Sequence, residues 1–145
     1  MSEEAPGSVG DEGEGGGPVD DWTVIGSITL AAVAESVKQA RRFAVAALED
    51  GERARTAELL ISEACTNSVV HSESRFGGKF TLTLMSSGGR LRCEVVDEGA
   101  PTVPTRREEP ELRDNGYGMM LIETLSSCSG HYVESGHLHT WFELD

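Results

Sequence analysis

A β-hairpin signal at residues 79–98 constrains the fold of this chain more than any other feature of the sequence. The segments "KFTLTLMS" (79–86) and "RLRCEVVDE" (90–98) are rich in apolar and β-branched residues, and only "SGG" separates them. Two strands joined by so short a glycine turn lie side by side and antiparallel. The sequence therefore predicts a hairpin at this position.

The remaining elements extend the hairpin into an α+β fold. The order strand, two helices, hairpin, helix and hairpin predicts a two-layer sandwich, with helices on one face of a mainly antiparallel sheet. The predicted elements are a strand at 22–29, helices at 34–49 and about 53–70, strands at 79–86 and 90–98, a helix at 118–127 that starts straight after a glycine, and a closing hairpin made by "HYVES" and "HTWFELD".

Composition divides the chain into two regions. Residues 1–21 hold seven acidic residues, no basic residue and almost no apolar ones. Such a segment cannot bury enough surface to offset the entropy lost on ordering. The whole chain of 145 residues is long enough for one domain with a core. We therefore expect a disordered, acidic, glycine-rich tail at 1–21 and one folded domain at 22–145.

Charge and hydropathy argue against several partners and locations. The net charge of −13 repels nucleic acid and anionic membranes. The sequence has no run of about 18 apolar residues that would span a membrane, and its acidic N-terminus lacks the apolar region of a signal peptide. The cysteines show no paired spacing, which indicates reduced thiols in a cytoplasmic protein. They are Cys65, Cys93 and Cys128.

A line of polar side chains runs along the otherwise apolar helix segment "ISEACTNSVVHS" (61–72). Glu63, Asn67 and His71 recur at every fourth position, so they lie on one helix face. Neighbours in the core can satisfy such groups, but burying three of them is costly and favours a function. A carboxamide oxygen suits Mg²⁺ that keeps water and phosphate ligands. A carboxylate one turn earlier can accept a proton from a hydroxyl or water.

A second motif, "VVDEGAP" (95–101), places Asp97 at the end of an apolar strand. A carboxylate there can accept a hydrogen bond from an exocyclic amine such as that of adenine. Gly99 would let the backbone come close to a flat ring. An ordinary strand-ending turn has the same pattern, so this motif is not specific alone.

A third motif, "DNGYGMMLI" (114–122), places Gly116 and Gly118 at the opening of a helix. Free backbone N–H groups and the positive helix end suit phosphate. Loop glycines before a helix are common, so this signal is weak alone. Residues 99–117 lead into it as a polar segment without periodicity, which is typical of a functional or disordered loop.

In this order and spacing, the three motifs resemble the GHKL superfamily of ATP-binding domains, which includes gyrase-type and histidine-kinase-type ATPases. The polar helix matches its N-box, the segment from Asp97 to Pro101 its first glycine box, and the segment from Gly116 its second. Residues 99–117 would be the ATP lid. Thr140 in "HTWFEL" matches the late threonine that supports adenine binding.

The resemblance covers about residues 22–145 and is greatest with stand-alone bacterial anti-sigma-factor serine kinases. The segments "SVKQARRFAVAAL", "AELLISEACTNSVVHS" and "TWFEL" carry this part of it. The resemblance implies a Bergerat-type ATP-binding fold in a histidine kinase-like ATPase domain. It also implies ATP and Mg²⁺ as cofactors.

The resemblance further implies a role for each matching residue. Asp97 would bind the adenine amine, and Asn67 would hold Mg²⁺ against the triphosphate. The backbones of Gly116 and Gly118 would cradle phosphates. Glu63 would be the general base that orients a substrate serine hydroxyl, within a reaction that depends mostly on positioning and charge stabilisation.

The leading hypothesis is a regulatory serine/threonine kinase of the anti-sigma type. It would phosphorylate a small antagonist protein and bind a sigma factor, and it would thereby regulate transcription. The alternative is a nucleotide-gated protein-binding module without physiological phosphotransfer. A histidine-kinase fragment and a fold that has lost nucleotide binding are less favoured. Stand-alone members of this branch often dimerise, so a homodimer is also open.

Overall fold

The protein is described by a computed structural model, which covers residues 21–71, 77–98 and 113–145. The predicted acidic tail therefore lies outside the described residues, except for Asp21. The elements are β1 (Thr23–Ala31), α1 (Ala34–Ala47), α2 (Glu52–His71), β2 (Lys79–Ser87), β3 (Arg90–Asp97), α3 (Arg113–Leu125), β4 (Cys128–Glu134) and β5 (His137–Leu144).

The strands form one five-stranded sheet in the order β1-β2-β3-β5-β4. All four neighbouring pairs are antiparallel. The two predicted hairpins are confirmed: β2 and β3 turn at Gly88 and Gly89, and β4 and β5 turn at Ser135 and Gly136. All four turn residues have positive φ, as the two-residue turns that match strand twist require. The last strand in sequence, β5, pairs with β3 and leaves β4 at an edge.

The core lies between the helices and one face of the sheet, which confirms the predicted two-layer α+β architecture. Alternate residues of β3 and β5 point into it, and Cys93 lies directly opposite Phe142. From the helix layer, α1 contributes a buried stripe at helical spacing. Its members are Val37, Ala40 and Ala44. The longer α2 buries Leu60 and Ile61, so it forms the centre of the helix layer.

The opposite face of the sheet is polar, and paired charges hold it together. Glu143 has a side chain only 2 % exposed, and it accepts hydrogen bonds from Arg90 Nη2 at 2.8 Å and Arg92 Nη1 at 2.7 Å. The Arg92 guanidinium lies 4.2 Å from the ring centroid of Trp141. A buried carboxylate is tolerated only when it is paired in this way. The charged residues of β3 and β5 therefore alternate with the core residues along each strand.

The start of α3 differs from the prediction. The helix begins at Arg113 and ends at Leu125, whereas the sequence indicated 118–127. The segment "RDNGY" carries no apolar periodicity and contains a glycine, which usually signals a helix boundary. The first helical turn nevertheless tolerates Asp and Asn well. Gly116 and Gly118 therefore lie inside the first turns of α3 instead of ahead of it.

Candidate functional site

Asp97, at the end of β3, faces the helix layer. It lies on the same side of the strand as Val95 and is 2 % exposed. Ser68 Oγ, on α2, donates a hydrogen bond to Asp97 Oδ2 at 2.5 Å, and Ser68 is equally buried. A hydrogen bond to a charged acceptor contributes about 1.5–3 kcal/mol. This contact fixes the last turns of α2 above the end of β3.

Asn67 precedes Ser68 in α2, and its carboxamide is buried. The residue is 6 % exposed, and its side chain forms no hydrogen bond within the described part of the chain. Buried carboxamides are almost always hydrogen-bonded, because an unmade bond costs the full desolvation of the group. Among the described residues, this carboxamide therefore has room for a ligand, an ion or water as its hydrogen-bond partner.

Thr140, on β5, adds a second buried polar group to the same surface. It lies opposite Val95 of β3, two pairs along from the Asp97–Leu138 pair and on the same face of the sheet. Diagonal neighbours in an antiparallel pair lie within about 7–8 Å on one face of the sheet. Thr140 is buried, and its hydroxyl has no hydrogen-bond partner among the described residues. The sheet thus presents a carboxylate and a hydroxyl side by side to the helix layer.

Glu63 lies one turn before Asn67 on α2, and it faces α3. A Cβ placed on Gly118 would come within 2.6 Å of Glu63 Oε1 and 3.4 Å of Glu63 Cβ. Only a residue without a side chain fits there while Glu63 keeps this position. The structure therefore brings together two residues predicted from separate motifs, Glu63 and Gly118, where α2 meets α3.

The N-terminal end of α3, the helix that carries Gly116 and Gly118, is the next part of the candidate site. The first four N–H groups of a helix have no partner within it. Since α3 begins at Arg113, these groups include those of residues 113–115, and Gly116 follows directly after them. The positive end of the helix dipole coincides with them. Gly118 lies beyond this turn and has no free N–H group of this kind. What sets it apart is its close approach to Glu63.

A cavity of about 480 Å³ opens elsewhere, on the polar side of the sheet. Thr81, Val96 and His139 line it from three neighbouring strands. Asp97, at the end of β3, also lines this cavity. Asn67, Glu63 and Thr140 do not line this cavity. The polar residues of α2 therefore belong to a different surface, between the helices and the sheet.

Some predicted site residues lie outside the described part of the chain. These are Gly99 and Pro101 of the second motif, residues 99–112 of the predicted lid, and the side chain of His71. Their predicted roles remain predictions. Sequence reasoning also missed a residue, Ser68, whose hydroxyl orients Asp97. Ser68 lies off the Glu63–Asn67 line, and a single serine carries no periodic signal that would have identified it.

Comparison with known proteins identifies the family of this chain. The model of the histidine kinase-like ATPase domain matches residues 28–138. The chain belongs to this family. The matched range contains Glu63, Asn67, Asp97 and Gly118, and the GHKL resemblance inferred from the motifs is thereby confirmed. Among the residues that the structure describes, this histidine kinase-like ATPase has no helix long and apolar enough to cross a membrane.

Two known proteins are similar to this chain. An anti-sigma F factor from Clostridium acetobutylicum is 28% identical over 74 residues, which cover 46% of this chain and 52% of the relative. The chain therefore spans about half the length of this curated relative. A crystal structure of the RsbU and RsbW domains of Rv1364c from Mycobacterium tuberculosis superposes with a TM-score of 0.60. At 16% identity, the match covers 82% of this chain and 32% of that one. This second likeness confirms the fold.

Proposed function

We propose that this histidine kinase-like ATPase binds Mg-ATP and acts as a regulatory serine/threonine kinase of the anti-sigma type. The observation that carries the proposal is the buried carboxamide of Asn67, which has no hydrogen-bond partner among the described residues and directly precedes Ser68, the donor to Asp97. A polar group in that position is costly unless a ligand completes it. The family of the chain and its likeness to an anti-sigma F factor support adenine nucleotide as that ligand.

The adenine end of the ligand would contact the sheet. Asp97 would accept a hydrogen bond from the exocyclic amine, with Ser68 holding the carboxylate in orientation. A charged acceptor contributes about 1.5–3 kcal/mol, which is roughly a ten- to hundredfold preference over guanine. Thr140 is buried on the same face and would support the base. Gly99 would let the backbone approach the ring.

The phosphate end would lie between α2 and α3. Asn67 would hold Mg²⁺, which when bound neutralises charge on the phosphates. The backbones of Gly116 and Gly118 would cradle phosphate. The first N–H groups of a helix have no partner within it, and those that precede Gly116 in α3 suit phosphate. With a net charge of −13, the chain gives no long-range attraction to an anion, so these local groups must supply the binding.

Glu63 would be the general base. Its carboxylate would accept the proton of a substrate serine hydroxyl. The serine oxygen would bond to the γ-phosphorus as the bond between that phosphorus and ADP breaks. General-base assistance contributes about 10²–10⁴ in rate, and the rest of the catalysis is positioning. The contact between Glu63 Oε1 and Gly118 supports a fixed position for this carboxylate.

The proposal extends to partners. A small antagonist protein would receive the phosphate, and a sigma factor would bind the kinase. Both follow from the resemblance and from the likeness to an anti-sigma F factor. A homodimer remains part of the same proposal.

A phosphotransfer assay with matched variants tests this function. Glu63→Gln, mixed with a candidate antagonist and labelled ATP, is expected to lose about 10²-fold or more in transfer rate. Glu52→Gln makes the same change at an exposed position of the same helix and should leave the rate unchanged. Undiminished transfer by Glu63→Gln would remove Glu63 from the mechanism. Tight Mg-ATP binding by the unmutated chain without any phosphoprotein would instead favour the nucleotide-gated binding module.

A further inference from the structure

A basic groove lies between α1 and α2 on the exposed side of the helix layer. It has a volume of about 330 Å³ and is lined by Lys38, Arg41, Arg42, Val45, Ala46 and Glu58. Three of these six residues are cations and one is an anion. Arg41 Nε lies 3.9 Å from Glu58 Oε2 in a loose ion pair. Lys38 and Arg42 are exposed and form no ion pair with any residue that the structure describes.

This groove differs from the surroundings of the two arginines on β3. Arg90 and Arg92 are bound to Glu143 and Glu94 on the polar face of the sheet, so their charge is already compensated. In a chain of net charge −13, uncompensated positive charge on one helix face is unusual. Val45 is 55% exposed in the same groove, which adds an apolar contact surface between the cations.

The chain itself supplies a segment of complementary composition. Residues 1–20 contain six acidic residues, no basic one and the apolar residues Val9 and Val19. Opposite charge with a few apolar side chains is what the groove would recognise. The segment is an acidic peptide by chemistry, and it is covalently attached.

The attachment point of this segment is close to the groove. Gly26 of β1 packs against Phe43 of α1, since a Cβ on Gly26 would lie 3.0 Å from Phe43 Cζ. Residue 21 is five residues before Gly26, about 17 Å along an extended strand. Arg42 and Val45 lie within one helical turn of Phe43. Twenty residues can extend over about 66 Å, so residues 1–20 reach the groove without strain.

We propose that residues 1–20 bind in the α1–α2 groove of the same chain, with their carboxylates paired to Lys38 and Arg42. The contact is electrostatic, and it shields this helix face from acidic partners. It requires neither nucleotide nor phosphotransfer. Because the screening length falls to about 3 Å at 1 M salt, high salt releases the segment.

Paramagnetic relaxation measured by NMR tests the proposal in the full chain. A nitroxide is attached at Ser8→Cys in a Cys128→Ser background, where the remaining thiols, Cys65 and Cys93, are buried. At low salt, the amides of Val45 and Ala46 should relax roughly threefold faster than at 1 M salt. The amide of Val133, exposed on the edge strand β4, should show no such enhancement.

Charge variants decide what causes the enhancement. Lys38→Glu with Arg42→Glu should abolish it, whereas Lys38→Arg with Arg42→Lys should retain it. Three results would overturn the proposal. They are an enhancement that persists in the variant with Lys38→Glu and Arg42→Glu, one that persists at 1 M salt, and one that is equally large at the amide of Val133 on β4. A mixture of nitroxide-labelled chains and isotope-labelled chains tests whether the segment in the groove belongs to the same chain or to another copy. An enhancement of the same size between different chains would contradict binding within one chain.

Discussion

At the scale of the residue, Gly118 determines where Glu63 can lie. Gly118→Ala would place a methyl group 2.6 Å from Glu63 Oε1, so the flexible carboxylate must move. Alanine in a helix is favoured over glycine by about 0.5–1 kcal/mol, which offsets part of the clash. We expect the free energy of unfolding in urea to change by less than about 1 kcal/mol. Phosphotransfer should nevertheless fall by roughly tenfold or more, since misplacing a reacting group by about 1 Å is that costly.

The double variant with Glu63→Gln separates the two causes of a loss in activity. If Gly118→Ala acts by displacing Glu63, it should cause no further loss once Glu63 has been replaced, because the two residues act as one unit. Independent losses that multiply in the double variant would show that Gly118 acts through another contact.

Ser68 is the second residue whose role is testable alone. Ser68→Ala removes the donor to buried Asp97 Oδ2. The loss of one hydrogen bond to a buried carboxylate should lower the free energy of unfolding by about 1.5–3 kcal/mol. Ser62→Ala is the matched control: at its half-exposed position on the same helix it loses only a long hydrogen bond from Arg41 Nη1, 3.4 Å, and should cost less than about 1 kcal/mol. Equal effects of the two variants in urea denaturation would contradict the orienting role of Ser68.

At the scale of the element, a cluster around Glu94 ties β3 to β5 and β4. Glu94 Oε2 lies 2.6 Å from His139 Nδ1 and accepts a hydrogen bond from Tyr132 Oη at 3.1 Å, and Arg92 pairs with Oε1 at 3.3 Å. Burial alone would raise the pKa of Glu94, but the hydrogen bond from His139 and the charge of Arg92 outweigh it and lower that pKa.

This lowered pKa gives a pH dependence with a definite sign. A carboxyl whose pKa is lower in the folded state contributes stability above its unfolded pKa and loses it as the pH falls through the folded value. We therefore expect the cluster to stabilise the sheet at pH 6 and to weaken below the ordinary glutamate value of 4.5. Urea denaturation between pH 6 and pH 3 should show a shallower loss of stability in Glu94→Gln than in the unmutated chain. Parallel curves would contradict the ionic role of Glu94.

Whether a helix or strand could be predicted from the sequence depends on what stabilises it. β3 alternates between half-buried and buried residues along its whole length, and β2 does so from Phe80 to Met85, so the sequence pattern was sufficient to place them. The first turn of α3 depends on its surroundings, and no local periodicity marks it. The position of Glu63 and Asn67 on one helix face could be predicted, because the helical repeat places residues four apart on the same face. The roles of Ser68 and Gly118 depend on contacts between elements, which sequence alone does not specify.

At the scale of the whole molecule, two buried cysteines report on unfolding. Cys65 and Cys93 are completely buried. Burial raises the pKa of Cys65 to about 12 and also raises that of Cys93. Alkylation of either thiol near pH 8 therefore requires the core to open. Mg-ATP at 100 times its Kd should slow this alkylation by about 100-fold, because the ligand binds only the folded state.

The half-exposed Cys128 is the internal control for that experiment. Its thiol is accessible without unfolding, so its alkylation rate should not depend on nucleotide in the same way. If Mg-ATP slowed the alkylation of all three cysteines by the same factor, it would be acting on the alkylating reagent and not on the folded protein. No slowing of Cys65 and Cys93 would contradict nucleotide binding to the folded chain.

Titration calorimetry of the full chain with Mg-ATP and Mg-GTP tests the central claim most directly. Asp97→Asn keeps the size of the side chain and an acceptor for Ser68, but it replaces the charged acceptor for the adenine amine. We predict binding of Mg-ATP with a roughly ten- to hundredfold preference over Mg-GTP, and loss of most of that preference in Asp97→Asn. A chain that releases no heat with Mg-ATP in calorimetry at several temperatures, or whose affinity and preference are unchanged by Asp97→Asn, would contradict the account.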